Sequence, residues 1–185
     1  MCLMCDGFSF DDVVALHGAH IAEYGFTVVG VTASPPDDEG VEWAYTIGLL
    51  DVADHPELVV AGPEAVSGAR LLLALGQEVL AGERFPCGGV LSDPPSALRF
   101  GTVDAVQHTL GVFGDWYAAK HAGHVRAARL EVLQVFAPDP WFCAGHGGHQ
   151  PDLADPRTRL DARRSVNRAM RRAPARGTRR RTHPR

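Results

Sequence analysis

The spacing of hydrophobic residues predicts two amphipathic helices in the first half of the chain. One begins after Ser9, which can cap a helix, and ends at Gly25, which can adopt a left-handed conformation. Its predicted apolar stripe comprises Phe10, Val13, Val14, His17, Ile21 and Tyr24. A second helix is predicted between Gly62 and Gly82, with a stripe of Val66, Ala69, Leu72, Leu73, Val79 and Leu80. Each helix should therefore turn one face towards a core.

Short runs rich in β-branched residues predict the strands. Phe26 to Thr32 and Glu42 to Gly48 flank a Pro- and acid-rich turn, so we expect an antiparallel hairpin. Glu57 to Ala61 is predicted as a short buried strand, and Arg129 to Ala137 as a later one. Residues 84–103 should contain one or two more strands, interrupted by glycine and proline pairs.

The remaining segments complete a prediction of one domain with a tail. Residues 49–56 are predicted as a loop and residues 104–120 as a helix. Adjacent strand pairs with helices between the groups favour an α+β fold, with a mostly antiparallel sheet flanked by two or three helices. We predict an α+β globular domain over residues 1–152. Residues 153–185 should form a flexible, basic Arg/Pro-rich tail, partly helical or disordered.

Length and composition favour a soluble protein. The chain has 185 residues, of which 45% are hydrophobic, enough for a single domain with a packed core. Its apolar runs are far shorter than the roughly 20 residues of a membrane span, so no membrane partner is expected. The N-terminus has neither the basic nor the apolar region of a signal peptide. We therefore expect a cytoplasmic protein whose four cysteines are reduced.

The net charge of −4 combines two oppositely charged parts. Residues 1–156 hold six basic and 21 acidic residues, a net charge of −15, whereas residues 157–185 hold 12 arginines and one aspartate, a net charge of +11. The basic tail could neutralise phosphates and contact nucleic acid non-specifically, or bind an acidic partner. It could equally pair with the acidic body or be a solvated terminus shaped by codon bias.

Cysteine and histidine spacing suggests a metal or thiol site. A CxxC motif joins Cys2 and Cys5, and a second cluster contains Cys143, His146 and His149. Zinc takes four tetrahedral Cys or His ligands, so these residues could bind zinc or another transition metal. The alternative is a flexible N-terminus whose two cysteines bind nothing. The pattern offers Cys87 no partner, so we expect it in the core.

Several strings together resemble a known family. The chain opens with MCLMCD, WAYTIGL follows the predicted hairpin turn, and HPELVV comes six residues later. Leu133-Gln-Val135 then precedes Pro138-Asp139 and Trp141. Over about residues 1–152 the chain resembles the bacterial domain-of-unknown-function 4262 family, in its actinobacterial branch. The resemblance implies a cytoplasmic α+β domain and supplies no reaction.

The same strings contain a candidate pocket. Trp43 and Tyr45 should share one strand face, because side chains alternate along a strand. If the Glu57 strand pairs beside this one, His55 and Glu57 could approach Tyr45, and histidine beside a carboxylate is a competent general base. His55, Glu57 and Tyr45 are therefore candidate catalytic residues, with a pocket completed by Trp43, Thr46, Gln134, Asp139 and Trp141. Alternatively, Trp43 and Tyr45 are core aromatics and the other two residues belong to a turn and a strand start.

Three functions follow from these patterns. The favoured one is an accessory protein or enzyme with a Cys/His metal or thiol site. The first alternative is an enzyme that acts on a small molecule through His55, Glu57 and Tyr45. The second is a binding module whose tail, residues 157–185, contacts nucleic acid or an acidic partner.

Overall fold

Three helices and six strands form the part of the chain that can be described. The computed structural model describes residues 7–32, 41–62, 64–91, 97–103, 117, 131–137 and 150–154. In chain order the elements are α1 (Phe10–Tyr24), β1 (Thr27–Val31), β2 (Trp43–Ile47), α2 (Leu49–Ala53), β3 (Glu57–Ala61), α3 (Ala65–Leu80), β4 (Val90–Leu91), β5 (Leu98–Thr102) and β6 (Val132–Phe136). Among these described helices, none has the length and apolar character needed to cross a membrane.

The six strands form one mostly antiparallel sheet. Its order is β1-β2-β3-β6-β5-β4, and the β3–β6 pair is parallel, with Val59 opposite Gln134. The predicted hairpin is confirmed as the antiparallel β1–β2 pair, and the expected pairing of the Trp43 and Glu57 strands as β2–β3. The α+β prediction is therefore confirmed, including β4 and β5 within residues 84–103.

Both faces of the central sheet are buried. One face carries Ala44, Leu58 and Val60 and packs with the apolar side of α3. The opposite face carries Tyr45 and Val59 and packs with side chains that include Ile21, Tyr117 and Leu153. Because both faces are covered, every residue of β2 and β3 is buried, including the polar residues Thr46 and Glu57.

Local signals predicted α1 well. Ser9 and Asp12 form a reciprocal capping box, and Gly25 ends the helix in the left-handed region with φ 85°. Val13, His17 and Ile21 are buried as predicted. Tyr24 is 60% exposed, so the buried stripe is narrower than the sequence indicated.

The predicted stripe of α3 was partly wrong. Val66, Leu73 and Leu80 are exposed, whereas the buried face consists of Ala65, Gly68, Leu71, Leu72, Leu75, Gly76 and Val79. Small residues let the helix lie close to the sheet, since a Cβ on Gly68 would sit 2.9 Å from Cγ1 of Val60. Leu72 and Val79 of the predicted stripe are buried, but the prediction missed Gly68 and Gly76, because glycine contributes nothing to an apolar stripe.

The predicted loop over residues 49–56 was also wrong, because it contains α2. Gly48 precedes this helix with φ 116° and offers no side chain as a cap. The first backbone N–H groups of α2 instead donate hydrogen bonds to the side chain of Glu57 on β3. The helix predicted over residues 104–120 lies outside the described residues except for Tyr117, which is helical.

Acid should destabilise the fold through His17. Burial lowers the pKa of His17, and the nearby His20 lowers it further, so the unfolded chain binds this proton more readily than the folded one. We expect the free energy of unfolding to fall as the pH drops below about 6.5. Urea unfolding across this range should show a smaller fall in His17→Gln. The exposed control His20→Gln should retain most of it, and equal falls in both variants would contradict the assignment.

Candidate functional site

A buried carboxylate joins four segments of the fold at the start of β3. Oε2 of Glu57 accepts a 2.6 Å hydrogen bond from the Thr46 hydroxyl. Oε1 accepts from the backbone N–H groups of Gly48 at 2.8 Å and Leu50 at 3.1 Å, and from the Tyr117 hydroxyl. The two amides belong to the first turn of α2, where a carboxylate is favoured. Glu57 on β3 therefore caps α2 and links the helix to β2 and to Tyr117 through hydrogen bonds.

Burial and hydrogen bonding act in opposite directions on the pKa of Glu57. Burial raises the pKa of Glu57, while the hydrogen bonds from Thr46, Tyr117, Leu50 and Gly48 act to lower it. Burial also raises the pKa of Tyr117, and the charge of Glu57 raises it further, so the phenol stays protonated as a donor. The carboxylate lies fully inside the protein with its hydrogen bonds formed. This geometry gives Glu57 a structural role in positioning α2.

The predicted pocket residues on the sheet are packed as core. Trp43 and Tyr45 lie buried on β2, with ring centroids 5.0 Å apart in a stacked arrangement. Glu57 lies on the same sheet face, two residues before Val59. The Thr46 hydroxyl also accepts from the backbone N–H of Leu58 at 2.8 Å and replaces a ladder bond where β2 and β3 separate.

Gln134 anchors the last described segment to β6. Its amide nitrogen donates to the carbonyl of Pro151 at 2.6 Å, and its oxygen accepts from the N–H of Leu153 at 2.7 Å. Gln150 donates to the carbonyl of Val135 and accepts from the N–H of Ala137 in the same way. Sequence reasoning missed Gln150, because nothing local marks it as a partner of β6.

Both ring nitrogens of His55 contact the backbone. Nε2 accepts a 3.1 Å hydrogen bond from the N–H of Phe85, and Nδ1 lies 2.6 Å from the carbonyl oxygen of Pro56. An N–H can only donate and a carbonyl can only accept, so the ring is the neutral tautomer with its proton on Nδ1. Burial lowers the pKa of His55, the bond to Pro56 raises it, and the charge of Arg84 lowers it.

The His55 cleft is an open cavity of about 600 Å³ beside this ring. Among the described residues, four segments line it: His55 and Pro56 before β3, residues 84–87 after α3, Thr102 and Val103 at the end of β5, and residues 131–133 at the start of β6. Strand ends that meet at one edge of a sheet are common positions for ligand sites.

The lining of the His55 cleft combines apolar surface with a few polar groups. Phe85 stacks on Phe100 with ring centroids 4.7 Å apart and planes 6° from parallel, which fixes one wall. Arg84, Cys87 and Glu131 are polar side chains along the same cleft. The expectation that Cys87 lies in the core was wrong, since its thiol is exposed. It follows Pro86 in a turn, and the adjacent glycine pair was the signal for a surface position.

The predicted metal ligands Cys2, Cys5, Cys143, His146 and His149 lie outside the described residues, as do Asp139 and Trp141. Within the described segments, no three His, Cys, Asp or Glu side chains are grouped so that they could share a metal ion. A zinc or other transition-metal site therefore stays a prediction.

A family model with the description "domain of unknown function (DUF4262)" matches residues 20–141. The chain belongs to this family. The DUF4262 match runs from within α1 through β6, so it includes Glu57 and every segment of the His55 cleft. Cys2, Cys5 and Cys143 lie beyond its limits, as does the basic tail. No curated protein and no solved structure matches the chain.

Proposed function

We propose that this protein binds a small molecule with an apolar body and an anionic group in the His55 cleft. The observation that carries the proposal is a cavity of about 600 Å³ whose mostly apolar lining includes the side chain of Arg84. Cavities that bind small molecules measure about 300–1,000 Å³ and combine apolar walls with a few polar groups that orient the ligand.

Arg84 supports an anionic ligand. Arg84 lines the cleft beside His55, and we assign it to the anionic group of the ligand. A guanidinium binds a carboxylate through two parallel hydrogen bonds, which orients the ligand as well as attracting it. Phe85 and Val132 would contact the apolar body, and Glu131 would favour a hydrogen-bond donor elsewhere on the ligand.

Binding fits the cleft better than catalysis does. The ring nitrogens of His55 are bonded to backbone groups, and Glu57 is enclosed by its own donors. A general base needs a lone pair within reach of the substrate. For His55 to act as a general base, its bond to the N–H of Phe85 would have to break.

Affinity for an aromatic carboxylate tests the proposal. With 2-naphthoate as the probe, calorimetry should show saturable binding to the full chain. Arg84→Gln should weaken it at least about tenfold, because a charge-assisted hydrogen bond contributes about 1.5–3 kcal/mol. The matched control is Arg70→Gln, which removes an exposed arginine from α3 and should leave the affinity unchanged. Absent binding, or equal losses in both variants, would rule out the proposed site.

Other sequence predictions stand beside this proposal. Contact of residues 157–185 with nucleic acid or an acidic partner rests on their 12 arginines. Metal binding rests on the spacing of the cysteines and histidines. A cytoplasmic location is a prediction that the family resemblance implies.

A further inference from the structure

The backbone of one wall of the His55 cleft is hydrogen-bonded to the His55 imidazole. Residues 84–87 connect the end of α3 to the turn before β4. Backbone bonds fix both flanks of this loop, from the N–H of Glu83 to the carbonyl of Glu78 and from the N–H of Gly88 to that of Phe100. Between these flanks, the backbone N–H of Phe85 donates to Nε2 of His55.

This bond exists only while Nε2 lacks a proton. If Nε2 took up a proton from solvent, its N–H would face the backbone N–H of Phe85. Neither group could accept a hydrogen bond from the other, because both are donors. The bond from Nδ1 to the carbonyl of Pro56 would survive, because Nδ1 already carries a proton. Protonation would therefore break only the hydrogen bond between His55 and the loop of residues 84–87.

The surroundings oppose a charged imidazole on balance. His55 is 1% exposed, and the edge of its ring meets the face of Phe85 with centroids 5.7 Å apart. Arg84 on the loop repels a positive ring, whereas Glu131 at the start of β6 would favour one. Cys87 is the other titratable group of the loop. Burial lowers the pKa of His55, which moves its protonation into the acidic range below about 6.5.

We propose that His55 is a positioning residue that holds the cleft wall of residues 84–87 while neutral and releases it when protonated. The wall carries Arg84 and Cys87, so its release would displace the proposed anion-binding group. Acidification would thus open the His55 cleft and weaken ligand binding in it. The effect on ligand binding rests on the proposed function. The release itself requires no ligand.

Two measurements on the ligand-free chain test the release. Nitrogen NMR of the His55 ring should show the Nδ1–H tautomer at about pH 7.5 and protonation of Nε2 as the pH is lowered below about 6.5. Over the same range, the exchange protection of the Phe85 amide, corrected for the intrinsic rate, should fall at least about tenfold. A ring that stays neutral, or a Phe85 amide that stays protected after protonation, would overturn the proposal.

A variant that keeps the acceptor but cannot titrate provides the control. In His55→Gln the side-chain oxygen can accept from Phe85 at every pH, so its protection should not fall on acidification. His20→Gln, which changes an exposed imidazole on α1, should behave as the unmodified chain does. An equal fall in His55→Gln would assign the effect to another group. Because these readouts need no ligand, their failure is distinguishable from failure of 2-naphthoate binding.

Discussion

Replacing Glu57 with alanine should lower the free energy of unfolding by about 3–5 kcal/mol. The substitution would remove the acceptor of two backbone amides, at Gly48 and Leu50, and of two hydroxyls, at Thr46 and Tyr117. Each buried donor left without an acceptor costs about 1–3 kcal/mol, and relaxation of α2 would recover part of that. Urea unfolding followed by circular dichroism measures the loss.

A comparison of Glu57→Gln with Glu57→Ala distinguishes the hydrogen bonds that Glu57 accepts from α2 from the effect of its negative charge. Glu57→Gln keeps one oxygen for the α2 amides, so its loss should be smaller than that of Glu57→Ala. Glu78→Ala removes an exposed carboxylate from α3 and should change stability by less than about 0.5 kcal/mol. If Glu57→Ala costs no more than this control, the carboxylate does not organise the fold as described.

Adding one methyl group at Gly76 should cost about 1–3 kcal/mol despite a gain in helix propensity. A Cβ at this position would lie 2.3 Å from two ring carbons of Phe26, which no real contact tolerates. Alanine favours a helix interior over glycine by up to about 1 kcal/mol, so the net loss measures how far the clash exceeds that gain. Thermal or urea unfolding of Gly76→Ala gives the value.

A second substitution tests whether the clash is the cause. Phe26→Leu shortens the obstructing side chain, so Gly76→Ala should cost less in that background than alone. Gln77→Ala, at the neighbouring exposed position of α3, should be nearly neutral. Simple additivity of Gly76→Ala and Phe26→Leu would contradict close packing between α3 and the residue before β1.

Features set by neighbouring residues were predictable from the sequence. The caps of α1 lie within a few residues of its ends, and the β1–β2 hairpin follows from alternation around one turn. The small helix α2 was not predictable, because its cap, Glu57, lies on the next strand. The orientation of α3 depends on how close a helix can approach a sheet, which apolar periodicity does not report.

The site was only partly predictable for a related reason. The sequence singled out His55 and Glu57 within the single string HPELVV, but the chemistry of each is decided by distant partners. The N–H of Phe85, 30 residues along the chain, donates to Nε2 of His55. The hydroxyl of Tyr117, 60 residues along the chain, donates to Glu57. The His55 cleft draws its lining from four separate segments, so no single motif marks Arg84 or Glu131 as its members.

Mapping the position of a bound probe tests the central claim most directly. Amide chemical shifts of the full chain titrated with 2-naphthoate should change most at Phe85, Cys87, Val103 and Val132, and should saturate together. Apolar probes also bind exposed hydrophobic surface, such as that of Val66 and Leu73 on α3. Saturable shifts confined to the His55 cleft are the result that we predict. Shifts centred on the exposed face of α3, or none that saturate, would contradict a ligand site in the cleft.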